Sequence, residues 1–289
     1  MDQVYEFGLG ELRCLALLDF ARERTPRATF PRVDGAELQR ELDAGGYGHE
    51  LDTPMPLHGV LLLVDDGQQK VLIDAGLPAG PGSQLLDSLA AANLTPDDID
   101  MVVITHGDSD HIGGLGSFPA SRIVMASQAY KLWTEDTDGM VEEFVKLFRD
   151  SASAEELAAQ ATGRRAYYDV LMALKAEGRL TLVEPGEEII AGLSLRPAPG
   201  HRRDQMAVVI QSGAGRLIHI ADAFRHPVQL RRHDFACLFD SYPDQLAATM
   251  VALLDDAAAT DALVFGAHFP FPSLIRIGKD ENGYQWLSQ

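Results

Sequence analysis

The run Thr105-His106-Gly107-Asp108-Ser109-Asp110-His111-Ile112-Gly113-Gly114 decides how this chain is read. Its metal-capable side chains, His106, Asp108, Asp110 and His111, follow directly on the apolar run Met101-Val102-Val103-Ile104. A buried strand that ends in such a cluster delivers polar groups to the rim of a sheet, where loops converge on ligands.

The same arrangement recurs further along the chain. His201 follows Pro197-Ala198-Pro199-Gly200, Asp222 ends Leu217-Ile218-His219-Ile220-Ala221, and His268 ends Leu263-Val264-Phe265-Gly266-Ala267. A lone histidine after a strand is ordinary. Four such junctions in one chain, all bearing nitrogen or oxygen donors, mark a cation site. Mixed imidazole and carboxylate donors suit zinc, iron or manganese, and the lack of a thiol argues against a structural thiolate zinc site.

Around these junctions the chain alternates strands and helices. Gly59 to Asp66 and Lys70 to Gly76 read as a hairpin about an Asp-Gly turn, and Ser83 to Asn93 as a helix. Arg122 to Ala126 is a buried strand. Residues 128–178, rich in Ala, Glu, Leu and Lys, hold three helices and no strand signal. Strands return at Leu180 to Val183, Glu188 to Ile190 and Leu193 to Pro197. A second hairpin, Gln205 to Gln211 with Arg216 to Ala221, precedes an amphipathic helix from Pro243 to Asp256. Ala262 to Phe265 is the last strand expected. With no linker or repeat, residues 1–289 read as one domain of two packed sheets flanked by helices, with 128–178 as a helical insertion covering the site.

The charge balance narrows the partners. Forty-three acidic residues against 24 basic ones give a net charge of −19. Such a surface repels phosphate backbones and anionic membranes, so a small-molecule substrate is expected, with no nucleic acid and no membrane partner. No apolar stretch reaches the roughly 18–20 residues needed to cross a bilayer. The opening Met1-Asp2-Gln3-Val4-Tyr5-Glu6 lacks the basic and apolar segments of a secretory signal, and Cys14 and Cys237 make no disulfide framework. A cytoplasmic location is expected. An apolar exposed face on the insertion would suit a homodimer.

At this point a family resemblance enters. His-x-x-x-Asp-His followed by Gly-Gly, then Pro-Gly-His, Asp222 and His268 in that order, resembles the metallo-β-lactamase superfamily. The stretches Ala221-Asp222-Ala223-Phe224-Arg225-His226-Pro227 and His268-Phe269-Pro270-Phe271-Pro272 look most like the branch containing methyl parathion hydrolase and quorum-quenching lactonases. The resemblance implies an α+β fold, a four-layer αββα sandwich, with a dinuclear metal site at one edge. One metal would take His106, residue 108 and His201; the other, Asp110, His111 and His268; Asp222 would bridge them, and Asp74 would orient a ligand from behind. A hydroxide held between the metals would attack an ester or lactone carbonyl, with Asp110 or a metal-bound water helping to move the proton.

Position 108 departs from the family pattern His-x-His-x-Asp-His. A carboxylate there favours iron or manganese over zinc if it binds, leaves a single metal at the other position if it binds poorly, or serves as a proton acceptor if it turns away. The same carboxylate resembles the flavodiiron proteins, so di-iron oxidase or oxygenase chemistry is the rival reading. A non-catalytic or mononuclear member is the third. The lactonase tyrosine three residues after the bridging Asp is here Arg225, whose planar fork suits a substrate carboxylate or phosphate. His58, just before the first hairpin strand, is the remaining candidate for a substrate contact.

Overall fold

Thirteen residues, Leu12–Arg24, form the longest strand, yet they contain no Val, Ile or Thr. Their Leu, Ala, Arg and Glu content favours helix by intrinsic preference. Pairing on both sides overrides it: Cys14 to Phe20 are buried between neighbouring strands and the opposite sheet. This is why the strand was not read from the sequence.

The computed structural model describes residues 2–48, 50–150, 152–281 and 283–288. Its strands, in chain order, are β1 (Val4–Leu9), β2 (Leu12–Arg24), β3 (Met55–Asp65), β4 (Lys70–Ile73), β5 (Met101–Val103), β6 (Arg122–Ala126), β7 (Leu180–Val183), β8 (Glu188–Ile190), β9 (Leu193–Pro197), β10 (Met206–Ser212), β11 (Gly215–His219), β12 (Leu263–Phe265), β13 (Leu274–Asp280) and β14 (Gly283–Ser288). The α-helices are α1 (Pro26–Thr29), α2 (Gly35–Gly45), α3 (Leu85–Ala91), α4 (Ser109–Ile112), α5 (Ser127–Glu135), α6 (Thr137–Val145), α7 (Ala154–Ala176) and α8 (Pro243–Thr260).

The strands make two seven-stranded sheets, β1 to β7 in sequence order and β14 back to β8. The first is antiparallel through β4 and parallel from β4 to β7. The second is antiparallel except for the β11–β12 pair. One core lies between the sheets, joining Leu15, Leu62, Val102 and Val124 to Leu195, Val208, Leu217 and Phe265. A second core fixes Met250 and Leu254 of α8 against Ile218, Val264 and Ile275. The result is a mixed α/β sandwich of the kind the resemblance implied.

Residues 128–178 fold as the expected three helices, α5, α6 and α7, between β6 and β7. The expectation that Ala262 to Phe265 is the last strand is overturned, because β13 and β14 follow. Arg276, Gly278, Lys279 and Asp280 interrupt the apolar pattern there, since this hairpin closes the sheet at its edge, half exposed.

Candidate metal centre

Every donor sits where a strand stops. β5 runs out at Val103 and the chain crosses to α4, which places His106, Asp108, Asp110 and His111. His201 lies beyond β9, Asp222 beyond β11 and His268 beyond β12. Two of the supporting turns hold a non-glycine residue in left-handed backbone: Asp74 at φ 64° after β4 and Ala221 at φ 48° before Asp222. Such conformations persist where the surroundings over-determine them, and they cluster at functional sites.

Each histidine is gripped on one ring nitrogen and aims the other inward. His111 Nδ1 meets Asp74 Oδ2 at 2.7 Å, and His201 Nδ1 meets Asp240 Oδ1 at 2.9 Å. His268 Nδ1 donates to the His58 carbonyl at 2.9 Å, and His106 Nδ1 lies 3.1 Å from Thr105 Oγ1. Asp74 also accepts from the Thr105 N–H and hydroxyl, both at 2.8 Å. Proton donation through Nδ1 fixes the tautomer that leaves Nε2 free as a ligand.

The inward atoms converge. Asp222 Oδ1 is 3.2 Å from His111 Nε2, and its Oδ2 is 3.3 Å from His201 Nε2 and 3.2 Å from His268 Nε2. Asp110 Oδ2 is 3.4 Å from His268 Nε2. His106 Nε2, His111 Nε2 and Asp222 Oδ1 are buried with no hydrogen-bond partner among the described residues. Orphaned buried donors and acceptors facing one another are costly unless a cation takes them. Three groups have ligand atoms within 4.8 Å of one another: His106, Asp108 and His201; His106, His111 and Asp222; Asp110, His111 and His268. The donor set fits divalent transition metals.

The electrostatics agree. Burial opposes a charge on His268, yet Asp222 and Asp110 lift its pKa to about 9. His111 is lifted well above the usual imidazole range against the same burial, by Asp222, Asp74 and Asp110. The centre therefore has a field that attracts positive charge. His219, at the end of β11 and stacked on Phe265, is held down to about 4 by burial and stays a neutral core residue.

Asp108 is the member held by two arginines. Arg202 grips it side-on, Nε to Oδ1 at 2.9 Å and Nη2 to Oδ2 at 2.7 Å, and Arg164 Nη1 adds a bond to Oδ1 at 2.9 Å. Burial pushes its pKa up, but the two guanidiniums hold it well below the carboxylate range. With both oxygens taken by guanidinium N–H groups, this carboxylate is a poor proton acceptor.

The two substrate-contact candidates take other positions. Arg225 lines the cleft, but its guanidinium is directed to Asp222 Oδ2 at 2.5 Å and Asp240 Oδ1 at 3.4 Å. His58 is buried; its ring accepts from the Phe271 N–H and its carbonyl supports His268. It is not among the cleft-lining side chains. Asp240, Thr105, Arg202 and Arg164 were not read from the sequence. Only Arg202 carried a signal, its place directly after His201.

The centre opens into a cleft of about 200 Å³ walled by Phe20, Arg22, Leu57, Leu77, Phe144 and Phe239. Ser109 and Phe144 also wall a larger, mostly apolar groove of about 590 Å³ between α7 and the loop 107–116. Gly107 permits this packing: a Cβ there would run into the Trp133 ring. Trp133 Nε1 and the Gly107 N–H both donate to Asp204 Oδ2, at 2.7 and 2.9 Å.

Fold and donor set together define a metallo-β-lactamase-type sandwich. The sequence matches the family model of the metallo-β-lactamase superfamily over residues 54–268, and the chain belongs to that superfamily. It is 45% identical over 56 residues to the mouse (Mus musculus) metallo-beta-lactamase domain-containing protein 1, covering 19% of this chain and 21% of that protein. It is 29% identical over 161 residues to the probable metallo-hydrolase Rv2300c of Mycobacterium tuberculosis, covering 54% and 46%. The matched stretches thus span less than half of these relatives. Among solved structures, the dizinc quorum-quenching lactonase AidC superposes with a TM-score of 0.85 at 22% identity, covering 100% of this chain and 99% of that one. Lactonases therefore stand among its fold neighbours, as the resemblance anticipated. No helix among the described residues is long and apolar enough to cross a membrane.

Proposed function

We propose that the protein is a metal-dependent hydrolase of a small ester, lactone or related substrate, working at a dinuclear centre. The observation that carries this is the convergence of seven donors from four strand ends, with His106 Nε2, His111 Nε2 and Asp222 Oδ1 left unpartnered at its middle. His106, Asp108 and His201 would hold one ion and Asp110, His111 and His268 the other, with Asp222 shared. Bound there, the ions would lower the pKa of water to about 7 and polarise the scissile carbonyl.

The protein's own groups do the rest. Asp74, Asp240, Thr105 and the His58 carbonyl lock the four imidazoles in the ligating tautomer. Phe20, Leu57, Phe144 and Phe239 exclude bulk water, which strengthens every charge interaction inside. Asp110, the donor carboxylate most open to the cleft at 27% side-chain exposure, is placed to pass a proton to the leaving oxygen. The apolar groove beyond Ser109 and Phe144 suits a substrate with a hydrocarbon arm. The acidic surface speaks for a small-molecule substrate and against nucleic acid. The two buried free thiols fit a reducing, cytoplasmic setting. No specific observation favours the oxidative reading, whose ground was the carboxylate at position 108; Arg202 and Arg164 engage that carboxylate.

The test is elemental analysis of the purified protein, followed by a panel of lactones, aryl esters, thioesters and phosphotriesters. Two transition metals per chain and chelator-sensitive cleavage of an apolar lactone or ester are expected. Protein that takes up no zinc, manganese or iron, and hydrolyses nothing when they are supplied, sinks the reading.

A further inference from the structure

Asp108 is the donor carboxylate whose charge is answered by two arginines. Arg202 is fully buried and Arg164 is 7% exposed. Both guanidiniums lie against the Phe144 ring, 5.1 and 4.3 Å from its centroid, and Arg164 also lies 5.5 Å from that of Trp133. Water does not screen the cluster. Asp108 Oδ1 already accepts from Arg202 Nε and Arg164 Nη1. Its Oδ2 accepts from Arg202 Nη2 and faces the centre, 3.4 Å from His201 Nε2 and 3.9 Å from His106 Nε2. Asp110, at the other position, pairs with histidines instead.

We propose that Asp108, Arg202 and Arg164 act as one charge-compensated unit, offering the first metal position a single short oxygen donor with no surplus negative charge. This rests on the metal-centre reading above. Arg202 and Arg164 are positioning residues: they fix which oxygen faces the ion and more than offset the charge that a carboxylate brings in place of an imidazole. Arg202 Nη1 is anchored in turn by the carbonyls of His201 and Phe239 and by Ser241 Oγ. Arg164 comes from α7, so the first position is complete only when that helix is seated.

A counterintuitive outcome follows. An imidazole at position 108 leaves two buried guanidiniums without a carboxylate beside an incoming dication, and an unpaired buried charge is strongly unfavourable. Asp108→His should therefore weaken metal binding rather than improve it.

The test titrates zinc into the metal-free full-length protein by calorimetry, with stoichiometry confirmed by elemental analysis. Wild type is expected to bind two equivalents. Asp108→His should weaken one of them by about tenfold or more and leave the other unchanged. Adding Arg164→Met and Arg202→Gln to Asp108→His should restore it to within about threefold, a non-additive coupling. The glutamine removes the charge and keeps an N–H near the position of Arg202 Nε. Binding of both equivalents to Asp108→His as tightly as to wild type, or no recovery in the combined variant, overturns the unit. If Asp108→His does not fold, Asp108→Asn with and without the two arginine changes reads the same coupling. Wild type with one equivalent overturns this inference alone; wild type with none overturns the metal-centre reading as well.

Discussion

The four histidines come from strand ends, and each is braced from behind by a carboxylate, a hydroxyl or a carbonyl. Helices α5 to α7 reach the centre differently: Phe144 walls the cleft, Arg164 touches Asp108, and Gly163, Ala166 and Val170 of α7 line a groove. Under the proposed function, the sheet-borne half would fix where a metal and a reacting bond sit. The helical half would fix what else fits beside them, touching the metal position only through Arg164. Chemistry and selectivity would then fall on largely separate parts of the chain, and substitutions should separate them.

The largest effect is expected at the carboxylate shared by both halves of the donor set. Asp222→Ala should lower kcat/KM by roughly three to four orders of magnitude, the scale seen when a member of a catalytic unit is lost. Circular dichroism should show the fold retained. A smaller effect on the same side comes from Asp74→Asn, which weakens the grip on His111 Nδ1 and should cost about 10–100-fold in metal affinity, read by chelator competition. Ala166→Trp, on the groove wall, should shift the ratio of kcat/KM for long-arm against short-arm substrates by roughly tenfold with metal content unchanged. Loss of metal in that variant would break the separation.

The smallest effect tests the seam between the two halves. Burial raises Asp204 to about 6, above the ordinary 3.8. Its favourable neutral form is fully present below the lower value, and that stability is lost as pH rises through about 6. Asparagine has no proton to lose. The unfolding midpoint of Asp204→Asn, followed from pH 4 to 7, should rise relative to wild type by a few degrees at most, at about 1.4 kcal/mol per pKa unit. A constant offset across that range would show that Asp204 does not titrate there.

The donor set was legible because the cluster His106 to His111, Asp222 and His268 each follow an apolar run that reads as a buried strand, and His201 follows the turn-like Pro197-Ala198-Pro199-Gly200. The helices of the insertion were legible for the same reason, through composition and spacing. What escaped was whatever depends on tertiary pairing. β2 carries a helix-like composition and is a strand only because β1 and β3 flank it. The bracing of His201 by Asp240 spans 39 positions in an irregular loop with no local pattern. The hold on Asp108 by Arg164, 56 positions away on α7, leaves no mark near the motif.

The donors are divided between the sheets: His106, Asp108, Asp110 and His111 extend from the first, His201, Asp222 and His268 from the second. An ion held by both would be a clasp across the sandwich, joining donors from His106 to His268, more than half the chain apart. Whatever its catalytic task, its departure would let the two layers part more easily. At a free metal concentration about 100 times the dissociation constant, one such ion adds about 2.7 kcal/mol against unfolding. The protein's lifetime in the cell would then track the same metal supply that, under the proposed function, would set its activity.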